Sequence, residues 1–114
     1  MRYLALVTDY DGTLASHDTV TDETVRAIER LRTSGRRAIL VTGRRLHDLL
    51  AVFAQPQVFD FIVTENGAVV YDPGSREEVT LANPPSKHFL RSLRARGVQP
   101  LEIGQVVVAT LDPY

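Results

Sequence analysis

Leu4-Ala5-Leu6-Val7-Thr8-Asp9-Tyr10-Asp11-Gly12-Thr13-Leu14 is the stretch from which the rest of the chain can be read. Its first half is an aliphatic run of strand length, apolar enough for a strand buried on both faces, and it stops abruptly at two carboxylates and a glycine. Side chains alternate along an extended backbone, so Asp9 and Asp11 at i and i+2 point the same way, roughly 6–7 Å apart. Gly12 lets the chain turn away. Two acids so placed can divide labour. One, ionised and held by a cation, can attack an electrophile such as phosphorus; the other, protonated, can donate to the leaving oxygen and later take a proton from water. Their mutual repulsion helps to separate the two protonation states. Asp and Gly are also ordinary residues at a strand end, and from the acids alone a plain turn remains the alternative.

Working outward, residues 15–19 are polar and aperiodic and read as a loop, with His17 a solvated loop histidine. Thr21 is a good N-cap, with Asp22 and Glu23 in a first turn that favours negative charge and Val20 able to staple onto Val25. A helix is predicted from Asp22, with Val25, Ala27, Ile28 and Leu31 as its apolar stripe and Ser34-Gly35 as its stop. Ala38-Ile39-Leu40-Val41 is a second strand ending in Thr42-Gly43-Arg44. Strand, helix, strand with short connections means a right-handed crossover and parallel pairing, which brings Thr42 and the backbone around Gly43 beside Asp9. There they could hydrogen-bond a phosphoryl oxygen, although a Thr at a strand end more often caps the next helix.

Leu46, Leu49, Leu50 and Phe53 predict a second helix over residues 44–54. That reading puts Arg44 and Arg45 in a first turn where the helix dipole disfavours cations, a cost that an anionic substrate in the neighbouring crevice would offset. Both could equally be solvated surface arginines. Residues 58–64 form a third predicted strand, ending in Glu65-Asn66-Gly67-Ala68. Three parallel strands thus end in turn in an acid pair, a Thr-Gly-Arg and a Glu-Asn-Gly, along the one edge where open α/β sheets bind ligands. Asn66-Gly67 alone could be only a turn. A hairpin follows over residues 68–81. Ser86 caps a helix with Phe89, Leu90 and Leu93 inward, and residues 105–110 read as a final strand.

Composition narrows the partners. In 114 residues there is room for one modest core. A net charge of -1 gives no electrostatic footprint for nucleic acid or a membrane surface, and neither is expected as a partner. The chain has no cysteine and neither a signal-peptide pattern nor a membrane-spanning run, which predicts a cytoplasmic protein.

Asp9-Tyr10-Asp11-Gly12-Thr13-Leu14 resembles the D-x-D-G-T-L signature of the haloacid dehalogenase-like superfamily. Thr42-Gly43-Arg44, and strand three with its Glu-Asn-Gly-Ala, hairpin and helix, resemble that superfamily's Cof-like branch, which includes sugar-phosphate phosphatases related to sucrose phosphatase. The resemblance implies an α/β fold with a Rossmann-like three-layer α/β/α parallel sheet, incomplete here, then a β-hairpin and the start of a cap. Residues 1–82 would be core and hairpin, and residues 83–114 the beginning of the cap. It implies a Mg²⁺-dependent phosphomonoesterase acting on a small phosphorylated metabolite, a sugar phosphate among the candidates. Asp9 would be the nucleophile forming an aspartyl-phosphate and Asp11 the general acid/base. The Asp9 carboxylate and the Asp11 backbone carbonyl would ligate Mg²⁺, while Thr42, Gly43, Arg44, Gly12 and Asn66 would surround the phosphoryl group.

The departures bear on activity. The family's lysine motif has no match, since the single lysine, Lys87, starts a helix in the wrong part of the pattern, and its later acidic pair is also missing, Asp112 standing alone. The expectation is therefore a nucleophile-bearing N-terminal portion, inactive by itself, with an exposed aliphatic edge on strand one that would promote self-association. The rival is a shortened, non-catalytic binding or interaction module. A phosphoacceptor receiver domain would need its Asp where Thr64-Glu65 stands, and no Gly-x-Gly-x-x-Gly follows any strand to suggest dinucleotide binding.

Overall fold

The computed structural model describes residues 2–111; Asp112, singled out above, lies outside them. The chain runs β1 (Ala5–Asp9), α1 (Asp22–Thr33), β2 (Arg37–Val41), α2 (Leu46–Val52), β3 (Phe61–Thr64), β4 (Val69–Asp72), β5 (Glu77–Thr80), α3 (Lys87–Ala95), β6 (Glu102–Ile103) and β7 (Val108–Ala109). The first five strands form one sheet in sequence order. β1, β2 and β3 are parallel and β4 and β5 antiparallel, so this is a mixed α/β sheet. Register puts Asp9 beside Val41 and Val41 beside Val63, and the three parallel strands end level with one another.

Helix α1 starts where local chemistry says it should. The Thr21 hydroxyl accepts the Thr24 N–H at 3.2 Å, Asp22 and Glu23 occupy the first turn, and Val25 and Ile28 are buried. The core lies against the central strands: Ala38, Leu40 and Ile62 are fully buried, with Leu49 of α2 and the ring of Phe59. Tyr10 and Phe53 meet edge to face at 5.7 Å between centroids, and Phe53 and Phe59 lie 6.0 Å apart, geometries suited to the ring quadrupole. At the opposite end of the strands from their carboxyl termini, Asp60 accepts the Ala38 N–H at 2.8 Å and an Arg32 N–H at 3.0 Å, while its own N–H donates to Ala38 O at 2.8 Å. This locks the start of β2 to that of β3.

Five expectations need correction. β1 has β2 on one side only, as an incomplete sheet predicts, but it is not buried on both faces: Leu6 and Val7 are 40% and 60% exposed. α2 begins two residues later than its periodicity suggests: Arg44 and Arg45 precede the first turn, and the charge of Arg45, at the N-cap, is met by Asp48 inside that turn. Pro56–Val58 forms a separate turn of 3-10 helix, and β3 is shortened to Phe61–Thr64. No residue of α3 is buried, and Phe89 is about half exposed, because α3 has no sheet beneath it. The predicted final strand is instead the β6–β7 hairpin, broken at residues 105–107 because their N–H groups turn to a carboxylate described below. The radius of gyration, 16.3 Å, exceeds the roughly 13 Å of a compact chain of this length.

Candidate active site

The loops after β1, β2 and β3 bring the expected residues to one edge. Asp9 is the last residue of β1, Gly12 turns the chain at φ +73°, Thr42 follows β2 directly, and Asn66 follows β3 by two residues. The loops are stitched together through the backbone. Glu65 N–H donates to Arg44 O at 3.1 Å and Asn66 N–H to Thr42 O at 3.2 Å. Gly43 packs close under the Asn66 side chain: a Cβ there would lie 2.7 Å from Asn66 Oδ1.

The electrostatics centre on Arg44. Its Nε donates to Asp11 Oδ2 at 2.9 Å and its Nη2 to Asp11 Oδ1 at 2.7 Å, a bidentate pair, and Nη2 also meets Asp18 Oδ1. The guanidinium lies 5.7 Å from the centroid of the Tyr10 ring, and the Tyr10 hydroxyl donates to Asp18 O at 2.8 Å. Tyr10, between the two acids in sequence, is therefore a buried post on which the loop and Arg44 rest. The Arg44 hydrogen bonds hold the Asp11 carboxyl below its ordinary range, against a smaller opposing effect of burial. Burial pushes the Tyr10 phenol up, partly offset by Arg44. In this arrangement Asp11 is a carboxylate; to donate a proton it must first be released by Arg44. Asp9 accepts the Tyr10 N–H through Oδ1 at 2.8 Å, and its Oδ2 has no hydrogen bond among the described residues.

Thr42 is 2% exposed, and its hydroxyl oxygen accepts the Arg44 N–H at 3.1 Å, so it shapes the loop as well as standing beside it. Thr64, two residues beyond Ile62 as Thr42 is two beyond Leu40, has a buried hydroxyl with no partner among the described residues. Arg45 grips Asp48 at 2.6 Å and Ile103 O at 3.2 Å and takes no part in the acid cluster. His17 is exposed and bonds only locally with Ser16 at 3.2 Å. Asp18 and Glu65 were not legible as site residues: the first looks like loop polarity, and the partners of the second lie about forty residues away.

A cleft at the opposite end of the strands, beside Arg32 and Asp60, is no rival, because Arg32 is spent on Asp60 and on the carbonyls of Gln57 and Val58.

The family model for haloacid dehalogenase-like hydrolases matches residues 6–99. The chain belongs to that family. Phosphatase YwpJ of Bacillus subtilis is 31% identical over 77 residues, which span 67% of this chain and 26% of the relative. A solved haloacid dehalogenase-like hydrolase from Bacteroides thetaiotaomicron superposes with a TM-score of 0.71 over 99% of this chain and 46% of its own, at 23% identity. BT1666 from the same organism, described among the phosphatases of the superfamily, is 29% identical, with a TM-score of 0.66 over 97% of this chain and 43% of its own. The chain thus spans about a quarter of that curated relative and under half of these solved ones. Among the described residues no three His, Asp or Glu side chains converge as a ready metal cluster, and no helix is long and apolar enough to cross a membrane.

Proposed function

We propose that this chain carries the nucleophile half of a Mg²⁺-dependent phosphomonoesterase that works through an aspartyl-phosphate. The observation that carries this reading is the level ending of β1, β2 and β3, which sets Asp9, the Thr42–Arg44 loop and Asn66 along one edge inside a haloacid dehalogenase-like hydrolase fold. Asp9 attacks phosphorus, forming an Asp9–phosphorus bond as the ester oxygen leaves with a proton from Asp11. Water then attacks phosphorus, its proton passing to Asp11, and the Asp9–phosphorus bond breaks to free phosphate. Because Asp11 is held ionised in the resting arrangement, the dianionic substrate has a specific task. Its phosphoryl oxygens draw Arg44 away, and Asp11 is freed to take up a proton.

The donor set fits a hard cation that takes only part of its shell from protein. Mg²⁺ keeps several waters and binds through one or two carboxylates plus a phosphate. Asp9 Oδ2 has no hydrogen bond among the described residues, and Asp11, its side chain engaged by Arg44, would contribute its main-chain carbonyl. When bound, the cation relieves the repulsion between the Asp9 carboxylate and the phosphate.

Residues 83–114 we assign to the start of a cap. The substrate is a small phosphorylated metabolite, a sugar phosphate among the candidates, and the location is cytoplasmic. With Leu6 and Val7 exposed on an edge strand, the chain alone should pair with a second copy of itself. Hydrolysis of p-nitrophenyl phosphate, with and without Mg²⁺ and beside Asp9→Asn, tests the catalytic reading. The whole protein is expected to turn over in the presence of Mg²⁺ and to lose that turnover with Asp9→Asn, whereas this chain alone stays inert. Turnover that survives Asp9→Asn would remove Asp9 as nucleophile. A whole protein that is inert would favour the non-catalytic binding module.

A further inference from the structure

Glu65 is 3% exposed and follows β3 at the point where the loops of the site meet. The proposed chemistry makes no use of its side chain. Glu65 and Asn66 have φ of +51° and +56°, two successive non-glycine residues in the left-handed region, which persist only where the surroundings over-determine them. Two sets of hydrogen bonds do so here. Through the backbone, Glu65 and Asn66 donate to the carbonyls of Arg44 and Thr42. Through the side chain, Glu65 Oε2 accepts the Gln105 N–H at 2.9 Å, and Oε1 accepts those of Val106 at 3.0 Å and Val107 at 2.9 Å. Three successive N–H groups turned on one carboxylate form an anion nest. The fit leaves no room at the neighbouring position, since a Cβ on Gly104 would fall 2.2 Å from Oε1.

This carboxylate is the main polar tie between the β6–β7 hairpin and the sheet, assisted by Arg45 on Ile103 O and by Gln105 Nε2 on Glu78 Oε1 at 2.6 Å. Without the three donors it would be a buried, uncompensated charge, and it could reach water only by moving the backbone that holds it. That backbone is the one bonded to the Thr42–Arg44 loop.

We infer that Glu65 is a positioning residue that couples the 104–107 turn to the phosphate-binding loop: with the turn seated on its carboxylate, Asn66 and Gly43–Arg44 are held in place, and with the turn lifted they relax. The name "phosphate-binding" rests on the function proposed above; the coupling itself does not. Coupling of this kind is reciprocal, so a ligand that orders the loop must tighten the turn by the same factor.

The test is amide hydrogen exchange and backbone NMR on the full 114-residue chain, with inorganic phosphate as probe, for wild type, Glu65→Gln and Gly104→Ala. The glycine variant dislodges the turn while leaving the carboxylate in place. Both variants are expected to speed exchange at Gln105, Val106 and Val107 by at least roughly tenfold, about what losing one charge-assisted hydrogen bond produces. They should also shift the Gly43, Arg44 and Asn66 resonances and weaken the phosphate titration several-fold, while Ala38 and Leu40 keep wild-type protection. Phosphate should slow exchange at residues 105–107 in wild type and not in the variants. Unchanged exchange at 105–107, or faster exchange there with unmoved Gly43 and Asn66 resonances, would overturn the inference. Should wild type show no response to phosphate, the reading of the loop as a phosphate site is what fails. The coupling would still be decided by the Gly43, Arg44 and Asn66 resonances of the two variants.

Discussion

Replacing Asp60 with alanine should cost this fold about 2–4 kcal/mol, and the figure can be built bond by bond. The Asp60 side chain is only 9% exposed, and its carboxylate accepts the Ala38 N–H and the Arg32 guanidinium. Losing the acceptor of a buried backbone N–H costs about 1–3 kcal/mol, and a charge-assisted bond is worth about 1.5–3 kcal/mol. The second figure is discounted by half because Arg32 is 35% exposed, and Arg37, at 72% exposure, is given no weight. For a chain of this size the melting temperature should fall by roughly 10–20 °C. The pH dependence has a definite sign. Burial alone would raise the Asp60 carboxyl, but the Ala38 N–H and the two arginines outweigh it and hold it below its ordinary range. A depressed carboxyl contributes its stability above the unfolded value, near 3.9, and loses it as pH falls through the folded value. The gap between wild type and Asp60→Ala, measured by urea denaturation and circular dichroism, should therefore be flat from pH 7 to about pH 5 and shrink below about pH 4. Since Asp60 lies at the far end of the strands, folded variant should bind phosphate as wild type does. A cost below about 0.5 kcal/mol at pH 7, within the range of an ordinary surface change, or a gap that widens in acid, would refute this account.

Arg44→Gln removes the bond that depresses the Asp11 carboxyl, so its midpoint, followed by carboxyl-carbon NMR, should rise towards the usual aspartate range; an unmoved midpoint means that the clamp does not form in solution. Gly43→Ala drives a methyl against Asn66 Oδ1, so the exposed Asn66 side chain should swing aside and its resonances shift, with a stability change of about 0.5 kcal/mol or less. Unshifted Asn66 resonances would contradict the close approach. Light scattering should report a mass that grows with concentration and falls back with Val7→Lys, whereas a monomer at all concentrations would argue against pairing through β1.

What was legible in the sequence was what neighbours along the chain decide. Thr21 caps α1 and Ser86 caps α3 with partners three residues on, and the alternation of Ala38, Leu40 and Ile62 depends only on the pleat. Gathering Asp9, Thr42 and Asn66 at one edge followed from topology, because parallel strands with short crossovers must end together. The misreadings are contacts made at long range. Arg44 lies 33 residues from Asp11, and nothing local says that the two form a bidentate pair. Val106 and Val107, β-branched, read as strand, but a carboxylate about forty residues earlier captures the N–H groups of residues 105–107. The apolar stripe of α3 signals a buried face, yet Leu90 and Leu93 are only partly buried and Phe89 is about half exposed.

The two outer strands of the sheet are not alike, and this limits how copies of the chain can assemble. β5 is exposed along its whole length but has only four residues, and two of them are Glu77 and Glu78. Short length and like charge are features that discourage one edge from pairing with another. β1 has no such guard before Asp9. If copies of the chain pair through β1, β1 against β1 about a two-fold axis, both outer edges of the joined five-stranded sheets are β5. Growth by head-to-tail addition to that sheet would then stop at two chains, because the edge left open is the short, acidic one.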